Sequence, residues 1–250
     1  MDGEPDIARA AALIADGSRA RILKALSGGR ALSATVLAAE AGVRGPTASA
    51  HLTRLLDAGM VVVERDGRNR NYRLASTEIT TALEALAVIA PPLPISTLRQ
   101  STRTNALRRS RTCYDHVAGK LGVELMAALV DGELISGRRK VGAKQDRPAS
   151  YGRDMDYELT DAGKDTLRSF GVDPETLPVR RAPIRYCVDW SERRHHLAGS
   201  VAAAVTERMF TLGWIRHGTA PRMVHVTEAG ADGLRRTFGV DPAPWRDQAS

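Results

Sequence analysis

The chain has 250 residues, enough for about two domains, and its 43% hydrophobic and 26% charged residues are an ordinary balance for a folded globular protein. No apolar run approaches the ~20 residues of a membrane span, the acidic start Met1-Asp-Gly-Glu-Pro-Asp6 has no signal-peptide core, and two cysteines make no disulfide scaffold; a membrane protein and a disulfide-stapled secreted domain are set aside, and a cytoplasmic protein is expected. Lys and Arg number 36 against 29 Asp and Glu, and five of the seven net positive charges fall within residues 96–112.

From the N-terminus, Ala11 to Leu26 reads as two short helices broken at Asp16-Gly17, with Ser18 as the N-cap of the second. Ser33 caps a third helix to Ala41, and Gly42 turns the chain. In the next helix Ala48, Leu52, Leu55 and Leu56 recur at helical spacing and form one apolar stripe. Thr47, Ser49, His51 and Arg54 fall off that stripe. Gly59 stops the helix as a residue past its C-cap does. Met60 to Val63 predicts a strand, Asp66-Gly67 a hairpin turn, and Arg68 to Leu74 the return strand. Arg65, Arg68, Arg70 and Arg73 crowd this ribbon. A helix that fits a major groove, followed by a basic ribbon that reaches phosphates, is the layout of a winged helix-turn-helix, and double-stranded DNA is the partner it implies.

Three motifs in chain order carry a family resemblance. They are Ala15-Asp-x-x-Arg-x-Arg-Ile-Leu23, Ser49-Ala-His-Leu-x-x-Leu-x-x-Ala-Gly-Met60 and Arg65-x-Gly-Arg-x-x-x-Tyr-x-Leu74. Over about residues 6–90 the chain resembles the ArsR/SmtB family of bacterial transcriptional regulators. The resemblance implies a homodimer formed through the first helix and the helix after the wing, with two recognition helices in successive major grooves. The departures are also informative. Many metal-sensing members carry Cys-x-Cys near the third helix, where Leu32-Ser-Ala-Thr-Val-Leu37 has no cysteine. Others place Asp and His ligands on the helix after the wing, where residues 76–90 offer only Glu78 and Glu84. Neither usual metal site is available to this chain. Family members often begin the recognition helix with Ser, Gln and Ser; here stand Arg44, Gly45 and Pro46. Base readout is therefore expected from Arg44, Thr47, Ser49, His51 and Arg54, with His51 alternatively touching phosphate or packing between helices. Arg65, Arg68, Arg70 and Arg73 are expected to contact the DNA backbone.

A Pro91-Pro92-Leu-Pro94 break precedes the basic segment 96–112, which reads either as a linker helix tracking DNA or as a solvated helix balancing acidic neighbours. Beyond it lies an internal repeat. Arg111-Thr-Cys113-Tyr-Asp115-His116-Val-Ala-Gly119 resembles Arg185-Tyr-Cys187-Val-Asp189 with His196-Leu-Ala-Gly199. Leu121–Ile135 then matches Val201–Ile215 at a constant offset, and Phe170-Gly-Val-Asp-Pro174 matches Phe238-Gly-Val-Asp-Pro242. Each copy predicts helix, strand, loop, strand, helix, with Thr160 and Thr227 capping the closing helices and a longer basic loop, Gly137 to Asp156, in the first copy.

Cys113, His116, Cys187 and His196 occupy matching places in the two copies, and Cys113 and His116 share a face if a helix starts there. Pseudo-symmetry permits three outcomes: a tetrahedral zinc-type site, a thiol pair for redox sensing, or two separately packed cysteines. The last is the expectation, so no cofactor is anticipated. A small organic effector is expected instead in an apolar pocket lined by Leu125, Leu129, Val205 and Met209. No phosphate loop, nucleophile elbow or zinc-protease helix is present, which argues against an enzyme. The sequence thus predicts a mainly α protein with small β-hairpins (α+β): a winged helix-turn-helix over 1–95, a linker helix over 96–112, and tandem helix-hairpin-helix repeats over 113–183 and 184–250. The function it suggests is a homodimeric repressor released by an effector, with an architectural DNA binder as the alternative.

Overall fold

The computed structural model describes residues 4–67, 69–139, 155–178 and 182–245. The chain forms two compact units, Met1–Leu83 and Glu84–Ser250. The first contains α1 (Ile7–Ala15), α2 (Gly17–Leu26), β1 (Leu32–Ser33), α3 (Ala34–Ala41), α4 (Gly45–Asp57), β2 (Val61–Asp66) and β3 (Asn69–Leu74); α5 (Thr77–Ile89) begins in it. The antiparallel sheet runs β1-β3-β2.

The α1–α2 break falls where expected, but Ser18 is not the cap. Asp16 accepts from the Ser18 and Arg19 amides at 3.0 and 2.9 Å, because a carboxylate satisfies two amides and complements the positive end of the helix. Arg19 turns back to donate to the Leu13 and Ala12 carbonyls that end α1. Ser33 caps α3, and Gly42 closes it in the left-handed region. Three of the four residues of the α4 apolar stripe are buried, Ala48, Leu52 and Leu55 at no more than 1% exposure, and the fourth, Leu56, is half-buried against the same core. Leu52 and Leu55 join Ile22, Leu23, Leu26 and Leu37 in one core, closed by Val61, Tyr72 and Leu74 from the hairpin. The strands extend beyond the apolar run, since Asp66 pairs with Asn69. Backbone pairing there is independent of side-chain polarity, so an alternating-pattern reading stops early.

The second unit follows α6 (Leu98–Arg109) with β4 (Arg111–Cys113), β5 (His116–Ala118), α7 (Lys120–Asp131), β6 (Ile135–Arg139), β7 (Met155–Leu159) and α8 (Asp161–Phe170). Next come β8 (Arg185–Val188), β9 (His195–Ala198), α9 (Ser200–Thr211), β10 (Ile215–His217), β11 (Val224–Val226) and α10 (Glu228–Phe238). The strands pair as antiparallel hairpins β4-β5, β6-β7, β8-β9 and β10-β11. The expected helix, strand, loop, strand, helix order is present as α7-β6-β7-α8 and α9-β10-β11-α10, but a hairpin that was not expected opens each stretch. Arg111-Thr-Cys113 and His116-Val-Ala118 are too short to announce strands, and Tyr114 takes a positive φ of 58° to reverse the chain. Thr160 and Thr227 cap α8 and α10 as expected, each accepting from an amide three residues on. Most of the basic loop, residues 140–154, lies outside the described residues.

Leu121, Leu125 and Leu129 of α7 pack with Val201, Val205 and Met209 of α9 in a single core. No helix among the described residues is long and apolar enough to cross a membrane.

Candidate nucleic-acid interface and a cysteine–histidine cluster

Helix α4 starts at Gly45 after the N-cap residue Arg44, whose side chain makes no capping hydrogen bond, with Pro46 in the first turn. Arg44, Thr47, Ser49 and Arg54 are all exposed. At about 100° per residue, Thr47 and Arg54 stand on one edge of the exposed arc and Ser49 on the other, about 160° away. Between them lie Pro46, Ala50 and Thr53, also exposed. Thr53, about 40° from Ser49 within that arc, is a further polar candidate that the sequence reading missed, although its angular position is legible from the same periodicity. His51 differs from this group. Its side chain is 13% exposed, with Nδ1 3.9 Å from the Asp16 carboxylate. That places it between α4 and the start of α2, favouring the packing alternative.

In the wing, Arg65 and Arg70 face each other across the ladder, both exposed. Like charges directly opposed destabilise a strand pair unless an anion screens them. The Arg70 guanidinium also sits 5.9 Å from the Tyr72 ring centre. Arg73 instead pairs with Glu64 and donates to the Leu74 carbonyl at 3.1 Å, so an internal carboxylate already engages it. Arg68 lies outside the described residues. Along α6, Arg99, Arg103 and Arg108 are exposed. Arg111, counted with that basic segment, is 1% exposed and belongs to the interior.

The second unit assembles the four cysteines and histidines. Cys113 pairs with His116 across the tight β4-β5 turn, and Cys187 pairs with His196 across β8-β9. Their shared helical face is thus replaced by a shared hairpin rung, which brings side chains together more closely than a helical turn. One ligand atom from each of the four lies within 4.8 Å of every other. The expectation of two separately packed cysteines is corrected: the two hairpins meet, with the His116 and His196 ring centres 5.2 Å apart. Cys113, His116 and His196 are buried and Cys187 half-buried; both cysteines are free thiols. His116 Nε2 and both ring nitrogens of His196 are buried without a hydrogen-bond partner. Asp115 lies 3.2 Å from His116 Nδ1, and Asp189 lies 3.8 Å from His196 Nδ1. Contact with Cys187, then burial and Glu84, push the Cys113 thiol up to about 12. Burial works against a charge on His116, but the Cys113 sulfur and Asp115 outweigh it and shift the ring upward.

A buried charge network adjoins the cluster. Arg111 donates to Asp189 at 2.7 Å and lies over the Trp190 ring. Asp189 also accepts from the amides of Gly119, Ser191 and Glu192 and from the Ser191 hydroxyl. Burial opposes its charge, but Arg111 and these donors hold its carboxyl well below the usual range. Arg111 and Arg222 both face Glu84 of α5. Sequence reasoning missed Glu84 and Arg222, whose spacing carries no motif; Arg111 and Asp189 were visible only as repeated positions. The predicted effector-lining residues Leu125, Leu129, Val205 and Met209 are packed core at 0–4% exposure, so the apolar faces expected to leave a pocket fill each other. An open groove of ≈ 400 Å³ lies elsewhere, lined by residues including Val123, Met126, Tyr157, Arg194 and His195.

Residues 14–64 match a family described as a helix-turn-helix domain. Over 237 residues the chain is 37% identical to an uncharacterized HTH-type transcriptional regulator, YdfF, of Bacillus subtilis (strain 168), spanning 94% of this chain and 98% of that one. Among solved structures, the homodimeric winged helix-turn-helix domain of Mb0332 from Mycobacterium bovis, a possible ArsR-family regulator, is 29% identical over 36% of this chain and 89% of its own, with a TM-score of 0.31. The cadmium metal-sensor CMTR of Mycobacterium tuberculosis is 33% identical over 37% of this chain and all of its own, with a TM-score of 0.30.

Proposed function

The chain belongs to the HTH-type transcriptional regulators and carries an ArsR-like winged helix, and on that basis we propose that it is a homodimeric, sequence-specific repressor whose DNA affinity is set by an effector held in the C-terminal region. The DNA-binding portion spans residues 1–95, the linker 96–112, and two copies of a duplicated unit 113–183 and 184–250. The observation that carries the reading is the polar arc of α4 running straight into a wing whose opposed Arg65 and Arg70 call for an anion. Direct readout falls to Arg44, Thr47, Ser49, Thr53 and Arg54. Dimerisation through α1 and α5 is supported by apolar side chains left exposed on each: Ile7 is 77% exposed, Leu86 42% and Ile89 74%. Two recognition helices then meet successive major grooves of an imperfect palindrome, about one turn apart. The duplication is supported by the constant sequence offset and by the matching caps Thr160 and Thr227.

Binding to genome-mapped sites and to random duplexes, followed across a salt series, tests this function. Changing Arg65 and Arg70 together to Ala should weaken binding on every duplex alike and reduce the log-log salt slope by about two. An unchanged slope means the wing does not touch DNA. Thr47→Ala or Arg54→Ala should each cost about 1–3 kcal/mol on the mapped site and relax its preference over random DNA. Gly45 and Pro46 supply no reading side chain in the first turn, which favours a second reading as an architectural binder. Equal affinity for mapped and random DNA would establish that reading and end the repressor one.

A further inference from the structure

We propose that Cys113, His116, Cys187 and His196 form a tetrahedral site for one zinc-class divalent ion, and that this ion is the effector of the regulator described above, on which this inference rests.

The donor set is the first argument. Two sulfurs and two imidazoles suit a borderline-soft ion, whereas calcium and magnesium take oxygen ligands. The four ligand atoms lie within 4.8 Å of one another. In a loaded site they stand roughly 3.3–3.8 Å apart, given bonds of about 2.0–2.3 Å, so closure needs a contraction of about an ångström or so. Charge is the second argument. Each thiol gives its proton to solvent on coordination, and two thiolates then neutralise a divalent ion. A neutral unit suits a buried position where an uncompensated charge is costly.

The third argument is what the surroundings leave unsatisfied. His116 Nε2 and His196 Nε2 are buried and make no hydrogen bond. A carboxylate stands behind the His116 ring, with Asp115 3.2 Å from Nδ1, whereas Asp189 lies 3.8 Å from Nδ1 of His196, beyond hydrogen-bond distance. A carboxylate behind a ligating imidazole fixes its tautomer and its aim. Oxidising the two thiols to a disulfide would leave both Nε2 atoms buried and unpartnered; an ion satisfies all four groups at once.

The fourth argument links the site to control. Cys113 is two residues from Arg111, and Cys187 two from Asp189, which bond each other at 2.7 Å. Arg111 and Arg222 in turn face Glu84 on α5. Contracting the cluster therefore pulls on groups that hold α5, the helix after the wing.

The test uses the full-length, reduced, chelator-treated protein titrated with Co²⁺ as the probe. One equivalent per chain should give thiolate charge-transfer absorption and the intense visible bands of tetrahedral cobalt, both removed by one equivalent of Zn²⁺. Cys187→Ser, at the half-buried ligand, should abolish the charge-transfer intensity expected of two thiolates and weaken binding. Asp115→Asn, which leaves every ligand in place, should keep the spectrum and lower affinity about 10–100-fold. DNA affinity should differ between the metal-free and Zn²⁺-loaded protein, and Cys187→Ser should lose that difference. Absence of thiolate bands while DNA binding persists overturns the site and leaves the regulator reading intact. Thiolate bands with identical DNA affinity in both states overturn the effector role. Thiolate bands in a protein that binds no DNA in either state overturn the regulator reading itself, and the effector role with it.

Discussion

Replacing Arg111 with alanine will lower the stability of the second unit by about 3–5 kcal/mol, the range for removing one partner of a buried ion pair. Arg111 is 1% exposed and Asp189 0%. Without the guanidinium, Asp189 keeps a buried charge with only amide and hydroxyl donors, and Glu84 keeps only Arg222. The measurement is chemical denaturation followed by a probe in the second unit, such as Trp190 fluorescence. A loss under about 1 kcal/mol would mean that water compensates the charges and the network is not a dry interior. The same network gives a pH dependence. Burial raises the Glu84 carboxyl, but Arg222, Arg111 and, more weakly, His196 outweigh it and hold the group below its ordinary 4.5. Its folded value is depressed, so its contribution is complete above the unfolded value and is lost as pH falls through the folded one. Melting temperature should therefore drop on acidification below about pH 4.5, and Glu84→Gln should flatten that part of the curve. An unaltered curve would show that other carboxylates dominate acid unfolding.

Leu52→Ala should cost the first unit about 2–5 kcal/mol. Leu52 is 1% exposed, on the stripe that seats α4 against α2 and α3. The cavity would open beneath the recognition helix. DNA binding should fail as the unit unfolds with temperature, earlier than in the parent, while affinity at low temperature stays near normal. Thr47→Ala should do the reverse, weakening binding at every temperature with no change in melting. If Leu52→Ala instead reduced affinity without moving the melting curve, the stripe would be dispensable for folding and α4 would be held by something else.

The first unit was legible because its signals are local. The α4 stripe, the glycines at positions 42 and 59, and the Asp66-Gly67 turn each act within a few residues. What the sequence misassigned there, Ser18 for Asp16 as cap, was a competition between two good acceptors two residues apart, decided by geometry. The second unit was harder. A three-residue strand has no period to detect, so Cys113 and His116 were read at helical spacing and not across a hairpin rung. The pairing of one hairpin with another, and of Glu84 with Arg111 and Arg222, depends on contacts more than 20 residues apart in sequence. Sequence repeats hinted at Cys113 with Cys187 and His116 with His196, but they gave no distance. The predicted effector-lining residues failed for a related reason: leucine and valine at helical spacing fit a filled core as well as a cavity wall.

The two rungs of the cluster have a consequence for the integrity of the chain. Cys113 and His116 come before the segment 140–154, and Cys187 and His196 come after it. A single cleavage in that segment divides the four side chains two and two, with one sulfur and one nitrogen on each piece. Neither fragment retains a complete set of donors. If an ion occupies the site, it becomes a cross-strap between two polypeptides, beside the packed α7–α9 core and the Arg111–Asp189 pair that also cross the cut. The ion-loaded, nicked protein should therefore stay in one piece to a higher denaturant concentration than the chelated one, a difference that gel filtration reads without any DNA.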